Sequence, residues 1–271
     1  MKHILITIPH PSFKGGVGNI YRSLKLNESD EIEYFYNTKA NTSANVWFFT
    51  IMLFRFIRQI RGKRIVHLNP SFDYKAVIRD GFLIVISKLF NKKVIVFLHG
   101  WDDEFEEKIK NNSFYKKVFL SVFNMTDVFI LLGDLFLKKL TGLGIRCKKV
   151  EYLPTIADDT YLKATVPASP SKPKTCRLLF IGGFVPLKGI DIVLQSFQFL
   201  QRVNSDFTFE LTMAGDGPEL AKCKQFVKEQ NLANVTFPGH VTGLEKHNCF
   251  KAADILFFPS ITEGLPLVIM E

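Results

Sequence analysis

The chain has 271 residues, 47% hydrophobic and 23% charged, a balance that excludes a disordered protein and leaves room for two domains of ordinary size. Its four cysteines, Cys147, Cys176, Cys223 and Cys249, form no C-x-x-C pair and have no spacing that suits zinc, so a reduced, cytoplasmic setting is expected. The net charge of +9 is one-sided: residues 1–165 hold 25 Lys+Arg against 16 Asp+Glu, residues 166–271 hold 10 of each, and the basic half points to an anionic partner. By charge alone that partner is a nucleic acid, an acidic membrane or a phosphate-bearing acceptor.

The opening "MKHILITIPHPSF" has one lysine, a short apolar run and no small-residue cleavage site, so it reads as a first β-strand and not as a leader. No stretch reaches 18 uninterrupted apolar residues, and no spanning helix is expected. After the strand at 3–9 comes "FKGGVGNI" (13–20), where Gly15, Gly16 and Gly18 open a helix. Such glycines let backbone approach a phosphate, although G-K-[ST] and G-x-G-x-x-G are both absent and a bare strand–helix turn remains open. The stretch 45–64, "NVWFFTIMLFRFIRQIRGKR", predicts a helix over 46–61 whose arginines recur at steps of three. It reads either as a core helix with a basic edge or as a surface that lies on an anionic membrane.

Apolar runs at 64–70, 93–100 and 127–133 predict buried parallel strands, with helices at 74–90, 113–124 and 134–141 between and after them. His99 ends the strand "KVIVFLHG", and His67 has a similar place in "RIVHLNP". Each reads as a packed or capping histidine or as a group facing a ligand. Asp102, Asp103 and Glu104 do not share a face, so they read as a solvated loop or a helix N-terminus sooner than as a metal site.

"ADDTYLKATVPASPSKPKT" (157–175), with three prolines and little apolar content, reads as a linker. A second α/β series follows: strands at 176–183, 207–215, 234–239 and 254–260, helices at 189–202, 218–231 and 243–252, and a last helix from Pro266. Lys188, in "FIGGFVPLKG", precedes a helix and could neutralise a diphosphate; alone it is equally a solvated lysine. "GDGPEL" (215–220) needs no more than a glycine turn followed by a proline-started helix.

The end of the chain, "FFPSITEGLPLVIME" (257–271), is the most specific stretch. The backbone amides of Gly264, Leu265 and Leu267 would face outward at a helix N-terminus, an anion site with fractional positive charge. A carboxylate there would repel the anion, so Glu263 is expected to face hydroxyl groups. Glu271, eight positions on, could hold the hydroxyls of a second ring, or be an ordinary exposed helix residue. Two hydroxyl-rich rings flanking a diphosphate describe a nucleotide sugar.

In this order and spacing the segments at 15–18, 99–100, 152–161, 180–189, 215–220, 234–241 and 259–271 resemble the retaining glycosyltransferases of family 4, of the two-domain GT-B architecture. The resemblance implies two Rossmann-like α/β domains facing across a cleft: residues 1–160 on the acceptor side, 161–175 as linker, and 176–271 binding the nucleotide sugar. By it, Gly15 and Gly16 lie near the donor phosphates, Lys188 binds the diphosphate, Glu263 holds the transferred sugar and Glu271 the ribose. His99 stands near the reacting sugar, Val241 falls in the base-contacting loop, and Gly264 and Leu265 supply amides to the donor. Two positions depart from the pattern: Gly183 stands where an arginine is usual, and Thr155-Ile156 where Asn-Gly is usual.

The expected activity is transfer of a sugar from a nucleotide-diphosphate sugar, with retention, to a saccharide or lipid-linked acceptor, a hexosyltransferase-type reaction of cell-surface polysaccharide biosynthesis. No metal or other cofactor is expected, and no nucleic-acid partner. The protein is expected in the cytoplasm, peripheral on the inner face of the membrane through residues 45–64. An epimerase or phosphorylase of the same architecture is the alternative. A non-catalytic remnant is another, because the family's second domain continues past the second glutamate; on that ground the 271 residues are expected to be weakly active alone and marginally stable.

Overall fold

The computed structural model describes residues 2–12, 16–38, 46–153, 174–203, 206–261, 263 and 266–270. The chain forms two compact units, Met1–Ala157 together with Glu263–Met270, and Asp158–Thr262. The short return at Glu263–Met270 groups with the first unit although it follows the second in sequence.

The first unit runs β1 (Ile4–Ile8), α1 (Gly16–Leu24), β2 (Ile32–Tyr36), α2 (Val46–Ile60), β3 (Ile65–Leu68), α3 (Tyr74–Leu89), β4 (Lys93–Phe97), α4 (Asp103–Asn111), α5 (Ser113–Phe123), β5 (Val128–Leu131), α6 (Asp134–Leu143) and β6 (Val150–Tyr152). Among the described residues it has six strands, all parallel, in the order β2-β1-β3-β4-β5-β6. Only the first crossover, β1 to β2, steps one way; every later one steps the other. Right-handed crossovers therefore put α1 on one face and the later helices on the opposite face.

The cores follow that rule. Leu5, Val66, Val94 and Phe129 point to one side and pack with Phe56, Leu83, Phe119 and Leu140 of the later helices. Ile6 and Ile8, one residue out of phase, pack on the other side with Ile20 and Tyr21 of α1. Helix starts are capped by side chains: Asp73 accepts from the Ala76 N–H (2.9 Å), Asp102 from Phe105 (3.0 Å) and Asn112 from Tyr115 (3.0 Å). Asp102 thus starts α4, and the acidic run 102–104 is a helix N-terminus.

The second unit runs β7 (Thr175–Ile181), α7 (Ile190–Arg202), β8 (Thr208–Ala214), α8 (Leu220–Glu229), β9 (Val235–Gly239), α9 (Gly243–Ala252) and β10 (Ile255–Leu256). Among the described residues its four strands are parallel and lie in the order β10-β7-β8-β9. Phe180, Phe184, Val193, Phe197 and Met213 are fully buried at its core. The last strand is shorter than the apolar run 254–260 predicts: past Leu256 only Phe257 stays tied to the sheet, its N–H donating to Leu179 (2.7 Å). A final turn of helix, α10 (Leu267–Met270), belongs to the first unit.

Candidate functional site

Parallel strands bring their following loops to one edge of the sheet, and in both units the candidate residues lie on that edge. In the first unit the loops after β3 and β4 are laced together. The His99 N–H donates to Pro70 (3.1 Å), Phe72 N–H to Gly100 (2.9 Å) and Asp102 N–H to Phe72 (3.0 Å). Phe72 and Trp101 stack across the join with centroids 3.9 Å apart and planes 6° from parallel.

Strand alternation turns His67 and Asn69, and Phe97 and His99, toward the face that carries α1. There they form one polar cluster. The Tyr21 hydroxyl donates to Asn69 Oδ1 (2.8 Å), His99 Nε2 lies 2.9 Å from the same oxygen, and Asn69 Nδ2 donates to the Thr7 carbonyl (2.8 Å). His67 Nε2 lies 3.2 Å from the Tyr21 oxygen. Phe97 packs on the His99 ring, centroids 3.9 Å apart. Tyr21 and Asn69 are buried, and the two histidines are half-buried. Burial pushes His67 down to about 4; burial, and then the neighbouring His67, push His99 down to about 3. Both rings are neutral at pH 7. Burial likewise raises the Tyr21 hydroxyl, which stays protonated.

Gly16 opens α1, and a Cβ there would stand 3.8 Å from Leu267 Cδ1 of α10, an ordinary contact. Leu267 packs against the same cluster of Ile6, Ile8, Ile20 and Tyr21. Glu263 is half-buried just before that helix, Val268 is half-buried and Ile269 is exposed. Gly16, His99 and Glu263 therefore belong to one unit, and Gly16 and His99 are joined through α1 and Tyr21.

In the second unit the edge is built from backbone. Gly182 N–H donates to Ala214 (3.0 Å), Phe184 N–H to Asp216 (2.9 Å), Gly215 N–H to Gly239 (2.7 Å) and Glu219 N–H to Phe184 (3.1 Å). Gly215 sits at φ 148°, where a Cβ would overlap the Gly182 carbonyl; at Gly189, at φ 70°, a Cβ would likewise overlap the Pro259 carbonyl. Lys188 closes the single 3-10 turn Pro186–Lys188. Leu187 O in that turn accepts from Ile261 N–H (2.9 Å), and the Lys188 ammonium stands 5.8 Å from the centroid of the Phe258 ring. The structure thus brings Lys188 to the Pro259–Ile261 segment, two residues before Glu263 in the chain.

Val241 follows β9, two strands away from β7. Its side chain is buried, so what it offers a ligand is backbone. Gly183 is exposed, and a Cβ built on it would meet nothing within 4 Å. Gly15, Gly264, Leu265, Glu271 and the 155–156 departure lie outside the described residues. Among the described residues no group of three His, Cys, Asp or Glu is arranged to hold a metal ion. Sequence reasoning missed Tyr21 and Asn69. The one available signal was an asparagine at a strand end before Pro70, two residues after a histidine.

Residues 164–271 match the family model described as Glycosyl transferases group 1. An uncharacterized glycosyltransferase of Methanocaldococcus jannaschii is 31% identical over 93 residues, 34% of this chain and 24% of the relative. The D-inositol 3-phosphate glycosyltransferase of Paenarthrobacter aurescens is 28% identical over 103 residues, 37% of this chain and 25% of the relative. The matched stretches span about a quarter of these curated relatives' length. Among solved structures, sucrose-phosphate synthase from Thermosynechococcus elongatus aligns with a TM-score of 0.70 at 16% identity, over 99% of this chain and 78% of that one. Anabaena HepE, in complex with UDP and glucose, aligns with a TM-score of 0.64 at 14% identity, over 96% and 74%. At such identities the structural likeness concerns the fold. The chain thus carries, over residues 164–271, a match to the glycosyl transferases group 1 domain, on an α/β fold with parallel sheets similar to that of the GT-B glycosyltransferases.

Proposed function

We propose that this protein is a glycosyltransferase that takes a sugar from a nucleotide-diphosphate sugar and passes it, with retention, to a hydroxyl of a saccharide or lipid-linked acceptor. The observation that carries the reading is the stitching of the Lys188 turn to Pro259–Ile261 by Gly189 and Leu187, inside the stretch that matches the group 1 domain. It holds a cation beside the segment that leads into Glu263. As the glycosidic bond breaks, charge develops on the departing diphosphate, and a preorganised lysine stabilises it. Glu263 and His99 orient the sugar as it becomes oxocarbenium-like, and Glu271 holds the ribose. The acceptor hydroxyl attacks from the leaving-group side and gives its proton to the phosphate, so no metal is required. HepE was solved with UDP-glucose, which makes UDP-sugars the first donors to try.

The acceptor side is assigned to the basic first unit. On α2, Trp47, Ile51, Phe54 and Arg58 recur at helical spacing and are all exposed, a largely aromatic face with arginine at its C-terminal end. Among the described residues no helix is long and apolar enough to cross a membrane. This face suits an anionic bilayer surface, where aromatics sit at the boundary and arginines meet headgroups, and it supports a peripheral place on the cytoplasmic leaflet.

A thermal-shift screen against nucleotide sugars and nucleoside diphosphates tests the reading, since a ligand that binds the folded state raises its melting temperature. At least one nucleoside-diphosphate sugar should stabilise the protein, and Lys188→Ala should abolish that shift. No response to any donor at millimolar concentration would end the proposal.

A further inference from the structure

Each hydrogen in the cluster beneath His99 has one consistent position. The Thr7 carbonyl can only accept, so the Asn69 atom 2.8 Å from it is the amide nitrogen, and Oδ1 is the atom that faces Tyr21 and His99. An amide oxygen also only accepts. The Tyr21 hydroxyl therefore spends its hydrogen on Oδ1, and His99 must donate from Nε2. The Tyr21 oxygen keeps a lone pair toward His67, which donates in turn from Nε2 at 3.2 Å.

We infer that Asn69 is a positioning residue that holds His99 as the neutral, Nε2-protonated tautomer, so that His99 Nδ1 presents a lone pair and selects a hydroxyl-bearing ligand over an oxyanion. Nδ1 makes no hydrogen bond among the described residues, and the ring is only half-buried. Phe97 fixes the plane of the ring from one side and the His99 N–H to Pro70 fixes its backbone. Burial among Tyr21, His67 and Phe97 disfavours a second proton, so the ring offers no positive charge to a phosphate at neutral pH. A sugar hydroxyl, which can donate, fits Nδ1; a diphosphate oxygen, which can only accept, does not. The inference rests on the reading of His99 as a sugar contact, but the tautomer itself does not.

Long-range 1H–15N correlation spectra of the 15N-labelled protein at pH 7 read each histidine's tautomer directly, without substrate. His99 should give the Nε2–H pattern; an Nδ1–H pattern, an imidazolium or an averaged mixture would overturn the inference. In Asn69→Ala the ring should relax to an averaged pattern, whereas Tyr21→Phe, which leaves the Asn69–His99 bond intact, should keep the Nε2–H pattern. Given donor turnover, Asn69→Ala should lower kcat about tenfold, with the KM for the nucleotide sugar within a factor of about two, the mark of an interaction made in the transition state. An unchanged kcat would remove Asn69 from the machinery. Failure to bind any nucleotide sugar sinks the proposed activity and leaves the tautomer result standing, so the two readings fail separately.

Discussion

The two sheets present the same edge in different materials. In the first unit side chains add to the backbone lacing of the strand ends: Tyr21, Asn69, His67 and His99 are linked by three contacts of 2.8, 2.9 and 3.2 Å. In the second they are held by main chain, with Gly182, Phe184, Gly215 and Glu219 trading amides and carbonyls across three loops. An edge that also relies on side chains should be sensitive to which polar atoms are present. An edge made of backbone should be sensitive to any Cβ placed in it and indifferent to polarity.

The largest effect that breaks this contrast should come from Gly215→Ala. It forces a Cβ onto the Gly182 carbonyl at a φ that L residues rarely adopt, and should cost more than about 3 kcal/mol in urea unfolding. Gly183→Ala, one loop away with open space around it, should stay within about 0.5 kcal/mol. Equal losses at both positions would show that the second edge is not fixed by backbone packing. Next comes Lys188→Ala, which should lower the rate of sugar transfer by about 10² to 10³ while leaving the melting temperature of the unliganded protein nearly unchanged.

The first edge should respond to acid. His67 and His99 bind a proton more weakly folded than unfolded, so the unfolded chain holds more protons as pH falls below the ordinary histidine value. The stability they give is complete above about 6.5, drains away through about 4 for His67 and about 3 for His99, and is level below that. Each should contribute a slope of about 1.4 kcal/mol per pH unit inside its window. Replacing both by phenylalanine should flatten the measured stability–pH curve over that range.

The smallest effect is a gain. Gly183→Arg should tighten donor binding about fivefold, because the site is exposed, unobstructed and close to the loop that carries Lys188. Calorimetric titration with a UDP-sugar would measure it. A side chain that fits and changes nothing would mean that the diphosphate lies elsewhere.

In the first sheet the strands that sequence patterning identified are the inner ones: β1, β3, β4 and β5 read as apolar runs because a parallel sheet is covered on each side. In the second sheet all four were legible, although the outer strands β9 and β10 hold no buried residue. The two that escaped notice, Ile32–Tyr36 and Val150–Tyr152, are the outer strands β2 and β6. One alternates with glutamate and follows a polar turn, and the other is three residues long, half-buried to exposed. Helix α4 was hidden by its own composition, since of its nine residues only Phe105, Glu106 and Ile109 are buried.

The site divides in the same way. His99 stood out as a polar residue at the end of an apolar run, and Lys188 as a cation just before a helix, so both were candidates from the sequence. The partner that governs His99 was not, because Tyr21 and Asn69 lie 48 positions apart and nothing local couples them. The lacing of Lys188 to Pro259–Ile261 joins segments more than seventy positions apart, and only the order of β10 beside β7 brings them together.

The amide at the centre of the first cluster also sets what that cluster cannot be. A relay needs every member to accept a hydrogen on one side and release one on the other. Asn69 takes two on its oxygen and returns neither, so the path between the tyrosine and His99 is interrupted at that atom. The assembly works as a gauge block, setting where a lone pair points, and in the proposed reaction the mobile proton passes between the substrates.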